Sequence, residues 1–263
     1  MAEIHIPTLA PDILFHIGSV PISNTVINAW IAILIFFVLG LMLRKRISLR
    51  PGKLQNKCEY ILELLLPYFD QVTGDRKKTM RFLPMVGSVF FFILLSNWLG
   101  LLPGTGSITV GHSFLLRPAN TDLNLTVAMA LVSVIGSHLM AVASIGVFTH
   151  IGKFIQIKPL FTSILKGPMA FFTALIQFAV GLLEVVSEFA KVLSLSLRLF
   201  GNVFAGEVLL SVMSALVAAV VPAPFMLLEL LVGLIQASVF AMLTLVYLTV
   251  ASDEPHGAHE EHA

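Results

Sequence analysis

Residues 169–217 read MAFFTALIQFAVGLLEVVSEFAKVLSLSLRLFGNVFAGEVLLSVMSALV, and the fold turns on how this run is read. It is dominated by apolar side chains on all sides, as expected of a helix in hydrocarbon rather than one on a soluble core. Yet it also holds Glu184, Glu188, Lys191, Arg198, Asn202 and Glu207. Roughly 45 uninterrupted residues at about 1.5 Å each make a helix of about 70 Å, twice the hydrocarbon thickness of a bilayer. Either the segment breaks near residues 184–191 into two spans, or it is a single helix that runs strongly tilted. No proline or turn cluster supports a break. The tilted helix is the expectation.

The rest of the chain agrees with a membrane setting. Of its 263 residues, 57% are hydrophobic and 12% charged, about half the charged share of a soluble domain. Four further apolar units are long enough to cross about 30 Å of hydrocarbon. The first, 22–43, ends at the basic cluster Arg44, Lys45, Arg46, and the second, 83–102, is closed by Pro103-Gly104-Thr105-Gly106. The third is 121–148, and the last is 225–251, separated from the long run by the turn Val221-Pro222-Ala223-Pro224. Residues 57–72 add an amphipathic segment, with Tyr60, Ile61, Leu64, Leu65 and Tyr68 at helical spacing and Glu59, Glu63 and Asp70 off that stripe. It reads as a helix on the membrane surface, with packing on another subunit as the alternative. The predicted fold is therefore an all-α integral membrane protein of one domain. It has about five membrane-embedded helices plus an interfacial amphipathic helix, the last two spans forming a long tilted hairpin.

Charge sets the expected orientation. Ten basic residues lie in the 44–81 connection and three (Lys153, Lys158, Lys166) in the 149–167 connection, whereas only Arg117 lies in a connection on the other side. The positive-inside rule then puts the N-terminus outside and both basic loops, with the C-terminus, in the cytoplasm. No cleavable signal is expected, because residues 1–43 contain no Lys or Arg. The single cysteine, Cys58, excludes an internal disulfide. The acidic end 252–263, with His256, His259 and His262, reads as a flexible cytoplasmic tail rather than a metal site.

The polar residues inside the spans are where function is expected. Arg198 cannot shed its proton, and a cation at mid-bilayer costs at least about 2.5–3.5 kcal/mol. Something must stabilise it: a carboxylate, water or a partner subunit. On a helical wheel Glu184, Glu188, Lys191, Arg198 and Asn202 fall within about 80° of one another, while Glu207 lies about 140° from Glu184. Glu229 and Gln236 share a face of the last helix, two turns apart. Hydrogen bonding between helices accounts for Gln177, Ser187, Ser194 and Ser196 as well as function does. It accounts poorly for three glutamates, a lysine and an arginine, whose desolvation packing alone would avoid. Chains of carboxylates and amides in a membrane mark an ion or proton path. Lys191 can also simply neutralise Glu188 or Glu184. Asp122 and Asn124 open the third span, where Thr121 or Asp122 can cap the helix. His138 reads as a hydrogen-bonded packing histidine. No phosphate loop, metal-ligand spacing or nucleophile constellation is present, so no cofactor, metal or nucleic acid is expected. The 201–206 run GNVFAG lies mid-helix, and its glycines read as sites of close helix approach.

At these residues the chain resembles subunit a of the membrane sector of F-type ATP synthases, over nearly its whole length. The most specific piece is Arg198-Leu199-Phe200-Gly201-Asn202 followed by Ala205-Gly206-Glu207. Asn97–Pro103 (NWLGLLP), Asp122-Leu123-Asn124, and Gln236 with the 243–248 run LTLVYL support it. The resemblance implies a stator that lies against a ring of c subunits, each with a membrane-embedded carboxylate, alongside subunit b of the peripheral stalk and the rest of the ATP synthase. It implies no catalysis by this chain alone. Arg198 would attract the rotor carboxylate and separate two offset proton half-channels. The outer one would be lined by Asn202, Glu207, Glu229 and Gln236, with Asp122 and Asn124 near its mouth. Glu184, with Ser187 and Ser194, would line the cytoplasmic one, and the setting would be an energy-coupling membrane such as a bacterial inner membrane. Many members have histidine where Glu229 stands and proline where Val192 stands, so carboxylates alone would carry the relay and the helix would run unbroken. Two other classes remain. A self-contained secondary transporter with Arg198 as an anion site would show internal repeats, and a non-transporting scaffold leaves the polar stripe without a purpose.

Overall fold

The computed structural model describes residues 8–44, 47–48, 51–102, 109–110, 113–114, 116–154, 168–216 and 222–252. The 103–106 turn, the lysines at 158 and 166 and the histidine-bearing tail lie outside the described residues. A short hairpin comes first: β1 (Ile13–Ile17) pairs antiparallel with β2 (Val20–Ser23). Gly18 at φ 63° makes the turn, a left-handed conformation suited to a residue without Cβ. The first apolar run then forms α1 (Asn24–Arg44).

The amphipathic segment forms α2 (Lys53–Thr73), ended by Gly74 at φ 67°, whose N–H donates to the Asp70 carbonyl at 2.9 Å. At the next residue, the Asp75 side chain accepts from the Lys77 N–H at 2.9 Å and opens α3 (Arg76–Gly100). This helix starts seven residues before the expected 83, because its first turns carry Arg76, Lys77, Lys78 and Arg81 as a charged entrance to an apolar span. Two-residue strands β3 (Thr109–Val110) and β4 (Ser113–Phe114) pair antiparallel, and a 3₁₀ turn at Ala119–Thr121 follows. Then come α4 (Leu123–Ile145), α5 (Val147–Phe154), α6 (Pro168–Leu216) and α7 (Pro222–Ser252).

Five of these helices, α1, α3, α4, α6 and α7, are long and apolar enough to cross a membrane. The all-α membrane architecture is thus as expected. The long run is a single helix of 49 residues with no interruption at 184–191. Two bounds differ. The third unit, expected to run to 148, stops at Ile145, since Gly146 adopts φ 85° and the chain turns into α5. The last helix begins at Pro222 rather than 225, with both prolines in its first turn, where a missing N–H leaves no bond unmade.

One core holds the bundle. Phe82, Val86, Phe90 and Ile93 of α3 meet Ala130 and Val134 of α4, Leu195 and Leu199 of α6, and Phe240 and Leu245 of α7. Only one end of α1 joins in: Asn24, Thr25, Asn28, Ala29 and Ala32 are buried, while Leu34 and Phe37 are exposed. Helix α2 is laid on the bundle by Leu66, Phe69 and Thr73, so its Tyr60, Leu64 and Tyr68 face away from this chain. That leaves the stripe free for lipid or for another subunit.

Gly100 ends α3 against the chain that leads into the 3₁₀ turn. A Cβ there would stand 2.5 Å from Pro118 Cγ and 2.9 Å from its Cα, and the ring and backbone cannot swing aside. Gly136 would meet only the movable tip of Met85. Gly100→Ala is expected to destabilise by about 1–3 kcal/mol and Gly136→Ala by less. Comparing their thermal unfolding in detergent checks the order.

Candidate functional site

Helix α6 sorts its side chains by direction. Leu195, Leu199 and Val203 point into the core, and Arg198 points out of the bundle. Around Arg198 the exposed positions are Ser187, Ala190, Ser194, Leu197, Asn202 and Ala205, mostly small or polar. The guanidinium has one hydrogen-bond partner, the Ser194 hydroxyl, with Nη2 to Oγ at 3.5 Å. Among the described residues no carboxylate pairs with it. A permanent cation is thus presented on a surface of small and polar side chains.

The hairpin of α6 and α7 carries the second group. Asn202 Nδ2 donates to Gln236 Oε1 at 2.7 Å, joining the two helices one turn beyond Arg198. Gln236 is buried, and its Nε2 meets no acceptor among the described residues. One turn further, Gly206 leaves a gap that the Glu229 carboxylate fills: a Cβ on Gly206 would collide with it. Asn202, Gln236, Gly206 and Glu229 therefore form a continuous polar seam between the helices.

Glu207 sits on the far side of α6. Its partner is Arg117, expected only as a loop charge. Arg117 Nε donates to Glu207 Oε1 at 2.8 Å and to Oε2 at 3.0 Å, and Nη2 donates to Oε2 at 2.9 Å. Its other hydrogens reach the carbonyls of Ala10 at 3.2 Å and Thr8 at 2.8 Å, tying down the segment before the hairpin. The Phe204 ring lies 6.0 Å from the guanidinium, within cation–π range. The Arg117 side chain is only 6% exposed, so this is a buried pair with its donors met.

The other expected residues fall into different places. Asp122 is buried and structural: it accepts from Asn124 N–H at 2.9 Å as the α4 cap and from Thr25 Oγ1 at 3.1 Å. Asn124 is exposed and makes no described contact with Glu207, Glu229 or Gln236. Glu184 is half-buried one turn before Glu188 and has no ion-pair partner among the described residues. Lys191 pairs with Glu188, Nζ to Oε1 at 2.6 Å, and not with Glu184. Glu188 Oε2 also lies 3.3 Å from His138 Nε2, and His138 Nδ1 lies 3.1 Å from His150 Nε2.

Two asparagines also emerged only in three dimensions. Asn120 Nδ2 donates to Asn97 Oδ1 at 2.7 Å, and Asn97 Nδ2 reaches the Gly233 carbonyl at 3.4 Å. With Trp98 Nε1 on the Leu230 carbonyl at 3.2 Å, they fasten α3 to α7 beside Glu229. Their signal was an amide at each end of the connection between two apolar spans: the two lie 23 positions apart, and the Gly233 carbonyl lies 136 positions from Asn97.

The buried Arg117–Glu207 pair gives a measurable expectation. Arg117→Met leaves an uncompensated carboxylate and should cost about 3–5 kcal/mol. Glu207→Gln in the same chain removes that charge and should recover part of the loss. Thermal unfolding of the single and double variants in detergent checks both.

Comparison with known proteins accords with this geometry. The family model described as ATP synthase A chain matches residues 26–249. The ATP synthase subunit a of Moorella thermoacetica is 32% identical over 90% of this chain and 94% of its own length. That of Gloeobacter violaceus is 33% identical over 91% of this chain and 86% of its own. The chloroplastic subunit a of Stigeoclonium helveticum is 33% identical over 89% and 86%. A family match across most of the chain, with relatives this similar along most of their length, places it plainly: it belongs to the ATP synthase A chain family.

Proposed function

We propose that this chain is the stator ion channel of an F-type ATP synthase, offering two offset proton half-channels to a rotating ring of c subunits. The observation that carries the reading is Arg198: an exposed guanidinium within a membrane helix, with no carboxylate beside it among the described residues. Such a charge needs a partner from outside the chain, and a rotor carboxylate supplies one.

The chemistry follows from electrostatics. A fixed cation favours the ionised form of an approaching carboxylate, so a rotor acid gives up its proton before it meets Arg198. Once past, that carboxyl faces lipid and is far cheaper neutral, so it must take up a proton first. Arg198 also opposes a proton crossing straight from one half-channel to the other. The outer half-channel uses the seam of Asn202, Gln236 and Glu229, with Glu207 at its mouth; the donor Gln236 Nε2 is what a chain of water would satisfy. Asp122 and Asn124 belong to the framework of that mouth. Glu184, with Ser187 and Ser194, lines the cytoplasmic half-channel. Each proton falling through 100 mV supplies about 2.3 kcal/mol, and the offset makes that work rotation.

The partners are the c-ring, subunit b of the peripheral stalk, the rest of the synthase and the lipid. The reading sets the N-terminus outside and the C-terminus in the cytoplasm of a bacterial inner membrane, in keeping with the basic residues of α2 and the start of α3 at one end of the bundle.

Arg198→Ala is expected to abolish proton-coupled ATP synthesis in an enzyme that still assembles and co-purifies with its small hairpin rotor proteins. Normal coupled synthesis by that variant would defeat the stator reading. Glu207→Gln should slow proton uptake from outside; pumping at the unaltered rate removes Glu207 from the path.

A further inference from the structure

Four titratable groups meet away from the seam. They are His150 of α5, His138 of α4, and Glu188 and Lys191 of α6, with the Tyr247 ring of α7 5.0 Å from the lysine nitrogen. His138 stands seven residues, about 10 Å, before the end of α4 that leads into α5. The break at Gly146 lets α5 turn back, so that His150 comes to rest on His138. Two further charged side chains of α6 are nearby: Glu184, one turn away and in none of these contacts, and Arg198, two turns beyond Lys191 and within electrostatic reach of Tyr247.

The contacts assign each hydrogen. Glu188, already bound to the Lys191 ammonium, accepts through its second oxygen from Nε2–H of His138. That fixes the His138 tautomer and leaves Nδ1 as an acceptor, aimed at Nε2 of His150. A carboxylate orienting an imidazole in this way readies its other nitrogen to take a proton. Helix packing alone needs one donor and one acceptor, which an amide supplies without burying charge.

We propose that His150 and His138 form a proton-transfer pair at the cytoplasmic side of the protein, feeding the same half-channel as Glu184, with Glu188 as its positioning residue. This rests on the stator reading above. His150, protonated from the cytoplasm, passes its Nε2 proton to Nδ1 of His138. The His150 ring becomes neutral, and His138 becomes an imidazolium facing the Glu188 carboxylate. The Nε2 proton then leaves past the Glu188 carboxylate to water on the way to the rotor acid, and His138 is left neutral with its remaining hydrogen on Nδ1. In ATP synthesis the same transfers run in reverse.

The test uses the whole ATP synthase in membrane vesicles, with assembly verified first. His138→Gln keeps hydrogen bonding but not proton transfer, and should slow proton conduction through the membrane sector about ten- to a hundredfold. His150→Gly should do likewise, and added imidazole should restore part of its rate. Glu188→Asp should keep the rate where Glu188→Leu loses it. Unchanged conduction in His138→Gln overturns the proposal, as does a slowed His150→Gly enzyme that imidazole does not rescue. Arg198→Ala run in parallel separates the two ideas: retained coupling there sinks the stator reading, whereas a dead Arg198→Ala beside fast histidine variants sinks only the relay.

Discussion

A helix of 49 residues is about 74 Å long, and hydrocarbon is about 30 Å thick. That mismatch governs the architecture. Helix α6 must lie far from the membrane normal, and the bundle is built to hold it there. α4 and α7 pack on it through Leu195, Leu199 and Val203, while the first half, with Leu175, Leu183 and Phe189, stays open to its surroundings. Ser187 and Ser194 are similarly left on the surface. A slanted helix spreads its residues sideways as well as in depth, so side chains two turns apart no longer sit one above the other across the bilayer.

Two arginines show how surroundings decide what a charge does. Arg117 is buried, forked onto both oxygens of Glu207, and holds the carbonyls of Thr8 and Ala10 as well. Every strong demand of that guanidinium is met within the chain, and its work is to tie the N-terminal segment, the approach to the 3₁₀ turn and α6 together. Arg198 has only the Ser194 hydroxyl at the limit of hydrogen bonding. Burial without a partner would cost several kcal/mol, so an arginine left this way is stable only where water or a visiting anion reaches it.

The sequence carried what a single element can encode. Apolar runs, prolines and glycines located the five spans, and the absence of a breaker at 184–191 anticipated the unbroken helix. The hairpin before α1 was also written there: Gly18-Ser19 between two apolar runs is a two-residue turn signal. Partners distant in the chain were not legible. Arg117 and Glu207 are ninety positions apart, and the pairing of His138 with His150 depends on the turn at Gly146. Asp122 could be read either as a cap or as a channel residue, and its bonds to Asn124 N–H and Thr25 show the cap.

Helix α6 is itself the partition between the two sides of the site. Nine residues at about 100° each put Glu207 about 180° around the helix from Arg198. The acid therefore faces the connection that carries Arg117, while the cation faces out of the bundle. A path between them has to go round the helix, and Gly206 is where it can. With no side chain of its own it leaves room for the Glu229 carboxylate, and the next polar contact, Asn202 with Gln236, lies one turn nearer Arg198. A larger residue at 206 would push Glu229 out of the seam. A kinked or broken α6 would lose the same geometry, since the angular offset between Glu207 and Arg198 holds only while the helix runs straight through both.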